Sequence, residues 1–150
     1  MKIHFLKIFL GFFLFFLDDI QMLKVAAAII QKEGKYLITR RHKHSHLGHL
    51  WEFPGGKLEV NESPEACIIR ECQEEIDLQI KPTRLYREVQ HDYPEVSVHL
   101  YFFLCEIVSG EPKAIDCAGI AWASPEELKN YEFPAADLQL LEDLSQGNLS

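Results

Sequence analysis

The chain has 150 residues, 47% of them hydrophobic and 25% charged. That composition suits one soluble domain with a real core and excludes a disordered or low-complexity chain. The net charge of −8 excludes a global field that would draw in nucleic acid, so no direct nucleic-acid binding is expected and an anionic ligand has to be met by local cations and metal. Cys67, Cys72, Cys105 and Cys117 show no Cys-x-x-Cys spacing and read as reduced, mostly buried thiols of a cytoplasmic protein.

Residues 1–21 differ from the rest, with six of the ten Phe in the first 16 positions. Ile8 to Leu17 is an uncharged apolar run, preceded by Lys2 and Lys7 and followed by Asp18 and Asp19. Ten residues are too few to span a bilayer as a helix, and no small-x-small cleavage site follows. Three readings stand: a dispensable tail or a start that belongs at Met22, a membrane-proximal anchor, or a signal segment. Membrane contact is expected only through these residues.

From residue 22 onward the elements of one domain follow. Leu23 to Ile30 reads as a buried strand, Lys32-Glu33-Gly34-Lys35 as a turn and Tyr36 to Arg41 as the hairpin partner. His42 to Leu50 is a His-rich loop, and Pro54-Gly55-Gly56 lets backbone approach a ligand closely. Ser63 can cap a helix with Pro64 in its first turn; the helix runs to about Ile76 and offers Ile69, Cys72 and Ile76 to the core. Arg84 to Gln90 and Val96 to Ile107 read as strands around a loop at His91 to Glu95, and Ile120 to Ala123 as a short strand. Ser124-Pro125 opens a short helix, and Leu138 to Leu144 closes the chain as an amphipathic one. Strands and two packed helices out of strict alternation predict an α+β protein of the α/β class, an α/β/α sandwich with a mixed sheet between helices.

The chemistry concentrates between Gly56 and Leu78. Glu71, Glu74 and Glu75 stand at i, i+3 and i+4 and share one helical face. Like charges so placed repel, and oxygen ligands in this number suit Mg²⁺ or Mn²⁺, whose shell is completed by water and substrate phosphates. A solvated acidic face is the ordinary alternative for a Glu-Glu pair. Gly56, Glu62, Arg70, Glu71, Glu74, Glu75 and Leu78 nevertheless keep the register of the Nudix box: Gly, five residues, Glu, seven residues, Arg-Glu, an aliphatic, any residue, Glu-Glu, any residue, Gly, an aliphatic. Cys72 replaces the aliphatic, and Asp77 replaces the Gly past the helix end, where a left-handed backbone is common.

The chain from about Leu23 to Leu144 resembles the MutT-like branch of the Nudix family. The resemblance rests on Thr39-Arg40-Arg41, Trp51 to Lys57, the box, and Phe133-Pro134-Ala135-Ala136-Asp137. It implies hydrolysis of nucleoside triphosphates to monophosphate and pyrophosphate; separately, a monomer is expected. It implies metal binding by the Gly55 carbonyl and by Glu71, Glu74 and Glu75. It implies nucleotide contact by Arg41 and His46, and a base and sugar pocket lined by Glu52, Phe53, Pro54, Gly55 and Gly56. Asp116 would be the extra acid of a late loop, Arg70 would hold the glutamates, and Lys57 would reach phosphate or remain solvated. Glu71 is the first choice for general base and Asp116 the second.

His42, His44, His46 and His49 could mark a zinc site, but no Cys or acidic partner nearby completes a tetrahedral set, and a polar loop over the cleft is the alternative. Asp137 bears on the base. As an ionised acceptor it suits the N–H groups of a guanine-type base or the amino group of cytosine; protonated by burial it regains a donor; or it simply caps the last helix. The leading expectation is an 8-oxo-dGTP diphosphatase. CTP or dCTP pyrophosphohydrolysis, a membrane-tethered hydrolase of another diphosphate and a non-catalytic nucleotide-binding module are the alternatives.

Overall fold

The computed structural model describes residues 22–149, so the three readings of residues 1–21 lie outside the described residues. Among the described residues seven strands, β1 (Leu23–Lys32), β2 (Lys35–Arg40), β3 (Trp51–Glu52), β4 (Gly55–Lys57), β5 (Gln79–Asp92), β6 (Ser97–Ser109) and β7 (Gly119–Ala123), form one sheet in the order β3-β2-β1-β6-β5, with β4 on β1 and β7 on β2. β1 (Leu23–Lys32) is the shared strand. It runs parallel to β6 (Ser97–Ser109) from Leu23 opposite Val98 to Ile30 opposite Cys105. Its other edge divides between two antiparallel partners. Val25 to Ala27 pair with β4 (Gly55–Lys57), and Gln31 and Lys32 pair with β2 (Lys35–Arg40). The Ala28 N–H at the fork donates to the Pro54 carbonyl at 2.7 Å. The apolar run of β1 is thus buried on both faces, as a central strand requires.

β2 also pairs with β3 (Trp51–Glu52) and β7 (Gly119–Ala123), and β5 (Gln79–Asp92) closes the far edge on β6. Helix α1 (Pro64–Ile76) covers one face, where Cys67, Ile68, Cys72 and Ile76 pack on Ala26, Ala28, Leu37, Leu78 and Phe103. Helix α2 (Leu138–Ser145) covers the other, where Leu140 and Leu144 meet Ile29, Tyr36, Ile38, Phe53 and Phe102. A mixed sheet between helices is the architecture expected. Among the described residues no helix is long and apolar enough to cross a membrane.

Three details depart from the expected elements. Ile69 is 44% exposed, and Cys67 and Ile68 take its place in the core. Position 69 sits at the rim of the stripe defined by Cys72 and Ile76, and the sheet is met one residue earlier. β5 begins at Gln79 instead of Arg84. Pro82 lies within it because β5 is an edge strand whose register slips between Pro82 and Arg84, where a missing N–H is tolerated. After Ser124 the expected helix is only a turn and one 3-10 turn, Leu128–Asn130. Ser124 and Glu127 still exchange backbone-to-side-chain hydrogen bonds, with Ser124 N–H donating to Glu127 Oε2 at 2.9 Å and Glu127 N–H to Ser124 Oγ at 3.3 Å.

Candidate active site

α1 is built as its sequence demands. Ser63 Oγ accepts the Ala66 N–H at 3.1 Å, Pro64 occupies the first turn, and Asp77 ends the helix in the left-handed region at φ 52°. The Asp77 N–H donates to the Gln73 carbonyl and the Leu78 N–H to the Cys72 carbonyl, each at 3.2 Å, so Asp77 completes the turn that Gly would make. The free carbonyls of the last turn are taken by the loop before β7. Glu75 O accepts from Ile115 and Asp116 N–H at 2.9 Å, and Ile76 O accepts from Lys113 N–H at 2.8 Å. This hangs Asp116 beside Glu75.

Arg70 organises the acids. Its Nε donates to Glu62 Oε2 at 2.7 Å, and its Nη2 to Glu62 Oε1 at 2.8 Å and to the Lys57 carbonyl at 3.1 Å. Its Nη1 reaches Glu71 Oε1 at 2.7 Å and Glu74 Oε2 at 3.2 Å. Glu62 is pulled down to about 2 by the Arg70 hydrogen bonds and by the Glu59 N–H. Glu71 is pushed up by burial against the pull of Arg70. Glu75 is pushed up to about 9 by burial, then by the negative neighbours Glu52, Glu71 and Asp116.

β4 brings the backbone to this cluster. A Cβ on Gly56 would lie 2.4 Å from Glu71 Cδ, and one on Gly55 would lie 2.0 Å from the Ala26 carbonyl oxygen. At Gly55 a side chain would strike the backbone of β1, so the fold requires glycine; at Gly56 it would displace the Glu71 carboxylate, so the arrangement of the site requires it. Among the described residues no three His, Cys, Asp or Glu side chains already close on one point, since Arg70 draws Glu71 and Glu74 toward itself. The donors still fit a hard cation. Glu75 Oε2 is buried without a hydrogen-bond partner; burial, with the nearby Glu74 carboxylate, raises Glu71, and burial, with the carboxylates of Glu52, Glu71 and Asp116, raises Glu75. A divalent ion reverses both effects.

Glu52 extends the cluster toward Asp137. It lies within electrostatic reach of Glu71 and Glu75 on one side and of Asp137 on the other. Arg41 Nη1 donates to Glu52 Oε2 at 2.8 Å and Arg41 Nε to the His46 carbonyl at 2.8 Å, so Arg41 is partly engaged in holding the His-rich loop to β3. Asp137 is 4% exposed and is pushed up to about 8 by burial, then by Glu52, with Arg41 opposing. Its carboxyl does not cap α2, which removes that reading.

The remaining expected residues are distributed as follows. Phe53 is 2% exposed, packed between Phe102 and Phe133, so it braces the strand and offers a ligand almost no surface. Pro54 is buried and Lys57 exposed. His46 is exposed and lies 3.8 Å from Glu95. His42 Nε2 lies 3.0 Å from Asp116 Oδ1, which turns the Asp116 side chain toward the His-rich loop. The sequence offers Tyr93 only as a loop residue, yet its hydroxyl oxygen accepts the Ala136 N–H at 3.1 Å.

Residues 25–143 match the family model described as the NUDIX domain. The chain belongs to the Nudix family. As a Nudix hydrolase it acts on pyrophosphate linkages and works with a divalent cation. It is 33% identical over 125 residues to the 8-oxo-dGTP diphosphatase of Escherichia coli K12, covering 83% of this chain and 97% of that protein. It is 34% identical over 122 residues to the CTP pyrophosphohydrolase of the same organism, covering 81% and 90%. The MutT protein of Methanosarcina mazei Go1 superposes with a TM-score of 0.75 at 26% identity, covering 85% of this chain and 95% of that one.

Proposed function

We propose that this Nudix hydrolase cleaves nucleoside triphosphates to monophosphate and pyrophosphate in the cytoplasm as a monomer, with 8-oxo-dGTP as its substrate. The observation that carries the base assignment is Asp137. A buried carboxyl pushed up to about 8 is mostly protonated at neutral pH. It then presents one donor and one acceptor, as an amide would. That pattern meets the adjacent N–H and carbonyl of an oxidised guanine. Glu52, pushed up by burial, and the backbone of 54–56 form the rest of the pocket.

Bound at Glu71, Glu74, Glu75 and the Gly55 carbonyl, Mg²⁺ would supply neutralisation of phosphate charge and a positioned water. The protein groups do the rest. Arg70 holds Glu62, Glu71 and Glu74 in one arrangement. Glu71 takes the proton of the attacking water, and Asp116 is the second candidate for that role. Lys57 and His46 meet the phosphates from the rim, and Arg41 steadies Glu52 and the loop beside the nucleotide.

The 34% identity to a CTP pyrophosphohydrolase over 90% of its length supports a second reading, in which the same neutral carboxyl pairs with the amino group and ring nitrogen of cytosine. The test is kcat/KM of the full chain with Mg²⁺ against 8-oxo-dGTP, dGTP, dCTP, CTP and a sugar diphosphate, following pyrophosphate release with Glu75→Gln as the blank. A large preference for 8-oxo-dGTP upholds the first reading. A preference for CTP or dCTP replaces it with the second, and turnover of the sugar diphosphate alone removes both.

A further inference from the structure

Tyr93 lies in the turn that joins β5 to β6. That turn is closed by its own backbone, with Tyr93 N–H donating to Val96 O at 2.9 Å and Val96 N–H to Tyr93 O at 3.3 Å. The ring stands edge-on to His91 at 4.5 Å and to His46 at 6.4 Å between centroids. The hydroxyl reaches a third segment, accepting the Ala136 N–H at 3.1 Å. Three stretches that are distant in sequence therefore meet on one side chain.

Ala136 is the middle residue of the 3-10 turn Ala135–Asp137. The opening N–H groups of such a turn have no partner within it, and Pro134, in the capping position, makes no side-chain cap. Tyr93 supplies the missing acceptor from another loop. Asp137 itself gives the turn no help, since its carboxyl caps nothing. Where that carboxyl stands is set by the turn's backbone, and Tyr93 grips that backbone one residue away.

We propose that Tyr93 is a positioning residue: by holding the Ala136 N–H, its hydroxyl fixes the turn that carries Asp137 and makes the β5–β6 turn part of base discrimination. This rests on the reading that Asp137 meets the base. Tyr93 touches no reacting atom in this role. Its loss acts on how well one base is told from another and leaves phosphate chemistry at the acidic cluster unchanged.

Tyr93→Phe in the full chain tests this, because it keeps the ring and its edge contacts and deletes only the acceptor. Amide hydrogen exchange at Ala136 should speed up. With Mg²⁺ and each of 8-oxo-dGTP, dGTP and CTP, kcat should stay within about twofold. KM for the favoured nucleotide and the favoured-to-disfavoured ratio of kcat/KM should each worsen roughly fivefold, the worth of one neutral hydrogen bond. In an Asp137→Ala background, Tyr93→Phe should change the ratio no further. If Asp137→Ala alters discrimination and Tyr93→Phe does not, the positioning role fails and the Asp137 reading survives. If Asp137→Ala itself leaves discrimination unchanged, that reading fails and the proposal with it. Unaltered exchange at Ala136, or a fall in kcat at constant discrimination, also overturns the proposal.

Discussion

Asp137→Asn should change how the stability of the fold responds to pH. The wild-type carboxyl is pushed up to about 8 in the folded protein, chiefly by burial, and returns to about 4 when the chain unfolds. Between those values the unfolded chain gives up a proton that the folded one keeps. Stability therefore falls as pH rises from about 4 to about 8, and flattens above. Each pH unit in that window is worth about 1.4 kcal/mol. The group thus costs at most about 4 kcal/mol between pH 5 and pH 8, and about half that if water and backbone relaxation reach the charged form. Asn has nearly the same shape and no proton to lose. The stability advantage of Asp137→Asn should accordingly grow by about 2–4 kcal/mol from pH 5 to pH 8, or roughly 6–15 °C in Tm for a domain of this size. Thermal unfolding of both proteins at the two pH values, with a chelator present throughout, measures the difference while contributions common to both cancel. Parallel Tm profiles would show an ordinary ionised aspartate, and the neutral donor–acceptor argument for base reading would fall.

Glu75→Gln removes an acid whose Oε2 is buried without a hydrogen-bond partner, so Tm should hold or rise while Mg²⁺-dependent kcat drops at least about a hundredfold; turnover near wild type would remove Glu75 from the metal set. Gly56→Ala pushes on the end of the Glu71 side chain, whereas Gly55→Ala pushes on the backbone of β1. The first should cut kcat about tenfold or more with Tm nearly kept, and the second should cost about 1–3 kcal/mol of stability; denaturant titration alongside initial rates separates them. Asp77→Gly relieves a left-handed Asp but loses the bond from Gln73 Nε2 at 2.8 Å. It should stabilise by about 0.5–1 kcal/mol with rates unchanged, read from the urea midpoint.

The box helix was legible because each of its signals is local: the Ser63 cap, Pro64, the glutamate spacing and the left-handed position filled by Asp77. The close backbone approach at Gly55 and Gly56 was legible for the same reason, but β4 itself was not, because a three-residue strand exists only through its pairing with β1. Distance in sequence limited the rest. Nothing near Pro82 signals that β5 is an edge strand tolerant of proline. Nothing near Tyr93 points to Ala136, 43 positions on. Asp137 could be ranked as a base-reading candidate from its motif, but its protonation follows from burial and from Glu52, which only the fold supplies. Phe53 reads as a pocket aromatic in the motif, whereas Phe102 and Phe133 draw its ring into the core.

The parallel pairing of β1 with β6 has a consequence for synthesis. The residues that pair with Leu23 to Ile30 lie seventy-five positions later. At ordinary elongation rates of about 5–20 residues per second, β1 waits roughly 4–15 s before its partner exists. During that interval the edge of β1 that will meet β6, with an uncharged Val-Ala-Ala-Ala-Ile-Ile stretch between Lys24 and Lys32, is open to pairing with other nascent chains. The vulnerable moment of this protein is therefore its own translation, and slowing the ribosome between β2 and β6, or removing a holding chaperone, should lower soluble yield without changing the stability of the molecules that do fold.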